Sequence, residues 1–172
     1  MTKYNKIKEN IFSYAKKLLN VCNQKGIKLS IAESCTGGML GEAITCISGA
    51  SSYFVGGVIA YDNKIKINLL GVLENIIKTK GAVSSKTAIY MAKGVKKLFK
   101  TDVAASITGI AGPGGGTKNK PVGLVYIAIQ YKNKVKFFKC NFKGNRELVR
   151  MQAVLFTLKE LVKFIFNLRN GG

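Results

Sequence analysis

Two hydrophobic periods alternate along this chain, and that alternation limits its fold more than any single residue does. Apolar residues recurring every three or four positions mark helices, whereas short, nearly unbroken apolar runs mark buried strands. From Tyr4 the helical pattern continues through Ile7, Ile11, Tyr14, Leu18 and Val21 until Gly26 stops it, which predicts an opening helix. IKLSIAES then reads as a strand, TGGMLGEAITCI as the helix after it, and SYFVGGVIAYD as a second, largely buried strand. NKIKINLLGV opens one short helix and VLENIIKTKGAV another, stopped at Gly81. SSKTAIYMAKGVKKLFK is a longer helix with Ala88, Met91, Ala92, Val95, Leu98 and Phe99 on one stripe.

TDVAASITGI is a buried strand running straight into the loop AGPGGGTKNKP, and VGLVYIAIQY and KVKFFKCNF flank KNK as a β-hairpin. Asn145 caps a last long helix with Leu148, Met151, Leu155, Leu158, Val162 and Ile165 as its apolar seam. That spacing suits a second subunit as well as the chain's own sheet, and burial against its own sheet is the expectation. Helices alternating with strands, then a late hairpin, predict an α/β fold: three layers, α/β/α, around a mixed central sheet, as one domain over residues 1–172. Sites on such sheets lie beyond the carboxyl ends of strands, so AESCTGG and TGIAGPGGG, each following a strand end, are expected to share one crevice.

The chain has no histidine. That removes Ser-His-Asp and Cys-His nucleophile systems and imidazole zinc sites together, and with few, scattered carboxylates no metal or other cofactor is expected. Cys22, Cys35, Cys46 and Cys140 show no C-x-x-C spacing and read as free thiols. No apolar run approaches the roughly 20 residues that span a bilayer, and the lysine-rich start leads into an amphipathic pattern rather than a signal core, so a cytoplasmic protein is expected. The formal net charge is +20. It is spread unevenly: residues 34–72 carry two basic and two acidic side chains, whereas 121–144 carry five basic and none acidic. Without an aromatic-interleaved basic track or a helix-turn-helix pattern, this excess reads as solvated surface that steers small anions, and nucleic acid is not the expected partner.

Ser34 sits where a strand turns into a helix. As structure alone, Ser34 or Thr36 would be the helix N-cap. As chemistry, Ser34 would be a nucleophile, the backbone N–H groups of Cys35 and Thr36 would face a developing oxyanion, and Gly37 and Gly38 would let substrate approach the main chain. Such a serine needs a base, and without histidine that is a lysine or a carboxylate; Tyr61, Lys64 and Lys66 follow the second strand. A lysine serves only if its pKa is pulled down. The run from Thr108 to Gly123, with six glycines and two prolines, is either a phosphate cradle and pocket rim or a flexible connection. It carries neither a Walker nor a G-x-G-x-x-G pattern.

AESCTGG, YDNKIK after a GG strand, GAVS, TGIAGPGGG, KPVG and FKGNRELVRMQA, in this order from about Ile27 to about Leu158, resemble the CinA C-terminal domain family, the nicotinamide-nucleotide amidohydrolases. The resemblance implies hydrolysis of the carboxamide of nicotinamide mononucleotide, a small nucleotide substrate, to nicotinate mononucleotide and ammonia. It implies Ser34 as nucleophile, Lys66 as base and Tyr61 as assistant; in the family's pattern the lysine falls five after the tyrosine, which selects Lys66 over Lys64. Substrate-binding positions would be Glu33, Cys35, Thr36, Gly37, Gly38, Thr108, Gly109 and Gly112, with Arg146 and Arg150 as phosphate candidates at a helix start. Asp62 stands where the family commonly has serine, and Gly114 where it often has an acidic or amide residue. Asp62 would raise the lysine's pKa unless it faces away. Rival readings are a binding protein linked to competence or DNA damage, suggested by the charge, and a homologue that binds nucleotide without hydrolysing it. A homodimer is the expected assembly.

Overall fold

The computed structural model describes residues 2–168, so the expected unit of 1–172 extends past the described residues at both ends. The chain runs α1 (Lys3–Lys25), β1 (Leu29–Glu33), α2 (Met39–Thr45), β2 (Phe54–Ile59), α3 (Asn63–Asn68), α4 (Glu74–Lys80), α5 (Ser85–Phe99), β3 (Val103–Gly109), β4 (Leu124–Tyr131), β5 (Lys134–Asn141) and α6 (Arg146–Phe166). The sheet order is β2-β1-β3-β4-β5. β1 lies parallel to both β2 and β3, whereas β4 is antiparallel to β3 and β5, which makes the expected mixed sheet.

Helices cover both faces. On one, α1, α2 and α6 bury Leu18, Leu40, Ile44 and Leu158 against Ile31, Ile107, Ile127 and Ile129 of the sheet. Each such side chain contributes about 1.5–3 kcal/mol by leaving water. α1 and α6 run side by side in the same direction: Tyr4 meets Asn145 at one end, and Lys25 donates to the Leu168 carbonyl at the other. α6 therefore buries a wider and rotated sector, Val149, Ala153, Val154 and Leu161 besides Met151, Leu158 and Ile165, because it touches α1 as well as the sheet. Leu148, Leu155 and Val162 of the expected seam are only half-buried.

On the other face α5 lays Ala88, Met91, Ala92 and Val95 on the sheet, as its stripe predicts, while Leu98 points to solvent. Two sets of polar groups beneath α5 are paired: Ser106 donates to the Ala88 carbonyl at 2.6 Å, and the Ser30 and Thr101 hydroxyls meet at 2.7 Å. Gly94 is the point where α5 meets the chain after α3; a Cβ there would overlap the Leu70 carbonyl. Burial differs from expectation at β2, which forms the sheet edge and alternates half-buried with exposed positions instead of being largely buried. Its apolar composition suggested an interior strand, but only β1 pairs with it.

Among the described residues no helix is long and apolar enough to cross a membrane. Gly94→Ala is expected to cost about 1–3 kcal/mol, the usual range for forcing a methyl into a packed contact, seen as a lower urea midpoint at unchanged slope.

Candidate active site

β1 ends at Glu33, and residues 34–38 form a tight turn before α2 begins at Met39, three residues later than the sequence pattern suggests. Neither Ser34 nor Thr36 is the cap. The N-cap is Gly38, whose φ of 99° suits a residue without Cβ, and no side chain of its own caps the helix. The Glu33 carboxylate caps it instead, accepting from the N–H groups of Gly38 (3.2 Å), Leu40 (3.0 Å) and Gly41 (2.8 Å). Charge-assisted bonds of this kind satisfy the orphan donors of a helix start. Glu33 is thus turned into the turn and not towards substrate, and Ser34 is left without a capping duty.

The Ser34 N–H continues the β1–β3 ladder to the Ile107 carbonyl at 2.9 Å, and the Gly37 N–H closes the turn on the Ser34 carbonyl at 3.0 Å. Among the described residues the N–H groups of Cys35 and Thr36 meet no carbonyl or carboxylate acceptor. Arg150 holds the turn from behind, donating to the Thr36 carbonyl at 2.7 Å with its guanidinium beside Gly37. It does not line the cleft, so of the two arginines only Arg146 stands where a substrate anion would meet it.

A cleft of about 260 Å³ opens at the carboxyl ends of β1, β2 and β3. Ser34, Cys35, Tyr61, Lys66, Thr108, Gly109, Gly112 and Arg146 all line it, so the turn after β1 and the glycine-rich segment do share one crevice. Glu33, Thr36, Gly37, Gly38 and Arg150 lie outside it and support the turn. A larger cleft of about 320 Å³ between α1, α2 and α6 is lined by Phe12, Met39, Cys46 and Met151 with Lys8, Glu42 and Glu147, and it holds neither a serine nor a buried lysine.

Lys66 is 1% exposed although it sits on the short α3, whose other lysine, Lys64, is exposed. Burial pulls its pKa below the ordinary 10.5, against weaker opposing pulls from Asp62 and Cys35. Asp62 caps α3, its carboxylate accepting from the Lys64 N–H at 2.7 Å, and burial outweighs the charge it brings near the amine. The Lys66 amine donates to the Tyr61 carbonyl at 3.0 Å. A neutral amine making that one bond keeps its lone pair for the cleft. The Tyr61 hydroxyl accepts from Arg146 at 3.0 Å, and Arg146 also donates to the Gly112 carbonyl at 2.7 Å. Cys35 is no rival nucleophile: burial, aided by Glu33, pushes its thiol up to about 12.

The sequence did not single out Asn63, Ala82, Val83 or Ile110 as lining residues, although YDN and GAVS contain the first three. Their side-chain types announce no chemistry. The glycine-rich segment is fastened rather than loose: Lys120 donates to the Lys80 (2.5 Å) and Val83 (2.8 Å) carbonyls, and Thr108 to the Ala82 carbonyl at 2.8 Å.

Fold and site together define a class: a three-layer α/β protein with a serine at a strand-to-turn junction and a buried lysine across one cleft. A sequence profile of the CinA C-terminal domain matches residues 11–165, and the chain belongs to that family. A putative competence-damage inducible protein of Halothermothrix orenii is 49% identical over 148 residues, 84% of this chain and 36% of that protein. A CinA-like protein of Rippkaea orientalis is 49% identical over 145 residues, covering 83% and 35%. The chain thus spans about a third of the length of these curated relatives. Among solved structures, the competence/damage inducible protein CihA of Agrobacterium tumefaciens superposes with a TM-score of 0.87 at 36% identity, covering 90% of this chain and 94% of that one. The competence damage-inducible protein A of Klebsiella pneumoniae superposes with 0.90 at 27% identity, covering 92% and 99%.

A buried amine destabilises the fold while it is protonated. Lys66→Met is therefore expected to raise the thermal midpoint at pH 7, by about 2–4 °C per kcal/mol in a chain of this size. Because the native amine loses its proton more easily than the unfolded one, the unfolded state binds more protons, and wild-type stability gains on the variant as pH rises. The gap should narrow towards pH 10.5, the ordinary lysine value. A gap constant over that range would contradict the lowered pKa.

Proposed function

We propose that the protein hydrolyses the carboxamide of nicotinamide mononucleotide, giving nicotinate mononucleotide and ammonia. The observation that carries this is the convergence of Ser34 and a buried, easily deprotonated Lys66 on one cleft, in a chain with no histidine to serve as base. The Lys66 lone pair takes the Ser34 proton as Oγ attacks the carboxamide carbon. The N–H groups of Cys35 and Thr36 receive the oxyanion, and Lys66 returns the proton to the departing ammonia. Water, deprotonated by the same amine, then cleaves the ester on Ser34 to free the acid.

The substrate's charges suit this arrangement. Its pyridinium repels a proton on Lys66 and favours the neutral base, while its phosphate fits the Arg146 guanidinium at the cleft rim. The names of the relatives and the +20 charge support a second reading, a competence-associated DNA-binding protein. That reading predicts duplex binding that weakens steeply with salt and survives loss of Ser34.

Ammonia release from nicotinamide mononucleotide separates the two. Wild type should be active, Ser34→Ala and Lys66→Met should lose about 10³-fold or more, and Lys64→Met should stay near wild type. Full activity in Ser34→Ala would remove the assignment. Since the base works only when neutral, kcat/KM should rise with pH and level off below 10.5.

A further inference from the structure

Residues 81–84, between α4 and α5, belong to no helix or strand, yet four consecutive carbonyls, from Lys80 to Val83, are each met by a side chain. Those of Lys80 and Val83 accept from the Lys120 amine, at 2.5 and 2.8 Å. The Gly81 carbonyl accepts from the Thr87 and Ser84 hydroxyls, at 2.8 and 3.2 Å, and the Ala82 carbonyl from Thr108 at 2.8 Å. A surface connection with no other duty leaves its carbonyls to water. This one is held from the glycine-rich segment, from the end of β3 and from the start of α5 at once.

Both partners in the lysine contact are prepared for it. Thr117 fixes the Lys120 main chain on two sides, donating its N–H to the Lys120 carbonyl at 2.8 Å and accepting the Lys120 N–H on its hydroxyl at 3.0 Å. Pro121 follows and confines Lys120 to extended backbone. On the receiving side Gly81 has a φ of 83°, and a Cβ there would stand 2.8 Å from the Lys120 nitrogen. Lys80 ends α4, so the ammonium also meets the negative end of that helix. GAVS and KPVG, far apart in sequence, are the two halves of one contact.

What is held is an apolar part of the cleft. Ala82 and Val83 line it together with Ile110 and Ala111, and Thr108 ties the first pair to the strand that leads into the second. The Ser34 N–H is bonded to Ile107, the residue before Thr108, so the nucleophile and this wall are referred to the same stretch of β3. We propose that Ala82 and Val83 form the wall that receives the aromatic end of the substrate, and that Lys120 is the positioning residue that sets its place relative to Ser34. With a phosphate at Arg146, the flat ring is the part of the substrate that a small apolar surface fits, which matches the site to a planar aromatic amide. Lys120 does not line the cleft and acts only through the two carbonyls. The ring's place rests on the deamidase reading; the holding of the wall does not.

Kinetics of ammonia release, with methyl NMR of Ala82 and Val83, test it. Lys120→Met should raise KM for nicotinamide mononucleotide by about tenfold or more while kcat changes less than about threefold, the pattern of binding lost equally in ground and transition states. Lys120→Arg keeps a cation able to donate to both carbonyls and should restore most of the affinity, while Lys118→Met, an exposed change in the same segment, should match wild type. Without substrate, Lys120→Met should give the Ala82 and Val83 methyls larger-amplitude motion, at a thermal midpoint close to wild type. Gly81→Ala, which crowds the ammonium from the other side, should act in the same direction and decides the matter if Lys120→Met does not fold. An unchanged KM, or a loss confined to kcat, would overturn the wall's part in binding, and unchanged methyl motion would overturn the holding by Lys120. Absence of ammonia release from wild type would count against the deamidase reading while leaving the methyl measurement decisive for the holding.

Discussion

The Glu33 carboxylate is the contact on which the rest of the site depends. A side chain from the end of β1 reaches forward to gather three N–H groups at the start of α2, and the five residues between are forced into a tight turn. Capping would otherwise fall to a polar side chain in that turn, as it does in α1, α5 and α6, each capped by its own Thr2, Ser84 or Asn145. Because a carboxylate from outside takes the duty, the serine at the mouth of the cleft is free of it. Arg150 closes the arrangement from behind, so two charged groups that never line the cleft determine where Ser34 stands.

Lys66 shows the opposing side of the same economy. Burying an amine works against folding, and it is tolerated where the neutral form is useful. Asp62, which on sequence alone threatened to hold the amine protonated, has its carboxylate engaged at the start of α3, and burial prevails. Across the cleft, Lys120 and Thr108 bind the glycine-rich rim to the connection between α4 and α5, which gives a backbone of small residues a fixed outline.

Much of this was legible in the sequence, for reasons particular to each element. α1 announced itself by period and by Gly26, and α6 by Asn145, because capping and amphipathic spacing are local. The shared crevice was legible because strand ends in such folds point the same way. The exposure of β2 was not: FVGGVI has the composition of an interior strand, and only sheet order shows that one flank lacks a neighbour. Nor was the division of labour between Arg146 and Arg150, one helical turn apart, because the direction of each guanidinium depends on which carbonyl lies opposite, Gly112 or Thr36. Glu33 was placed with the substrate-binding residues on the resemblance carried by AESCTGG; its helix-capping partners lie five to eight residues ahead.

Tyr61 touches two basic side chains of the cleft by different parts of itself: its carbonyl receives the Lys66 amine, and its hydroxyl receives the Arg146 guanidinium. The first contact belongs to the main chain and persists with any side chain at that position; only the second belongs to tyrosine. Replacing the residue therefore cuts a single wire of a two-wire junction. Such a change frees the group that would anchor a phosphate while leaving the group that would move the proton on its main-chain acceptor.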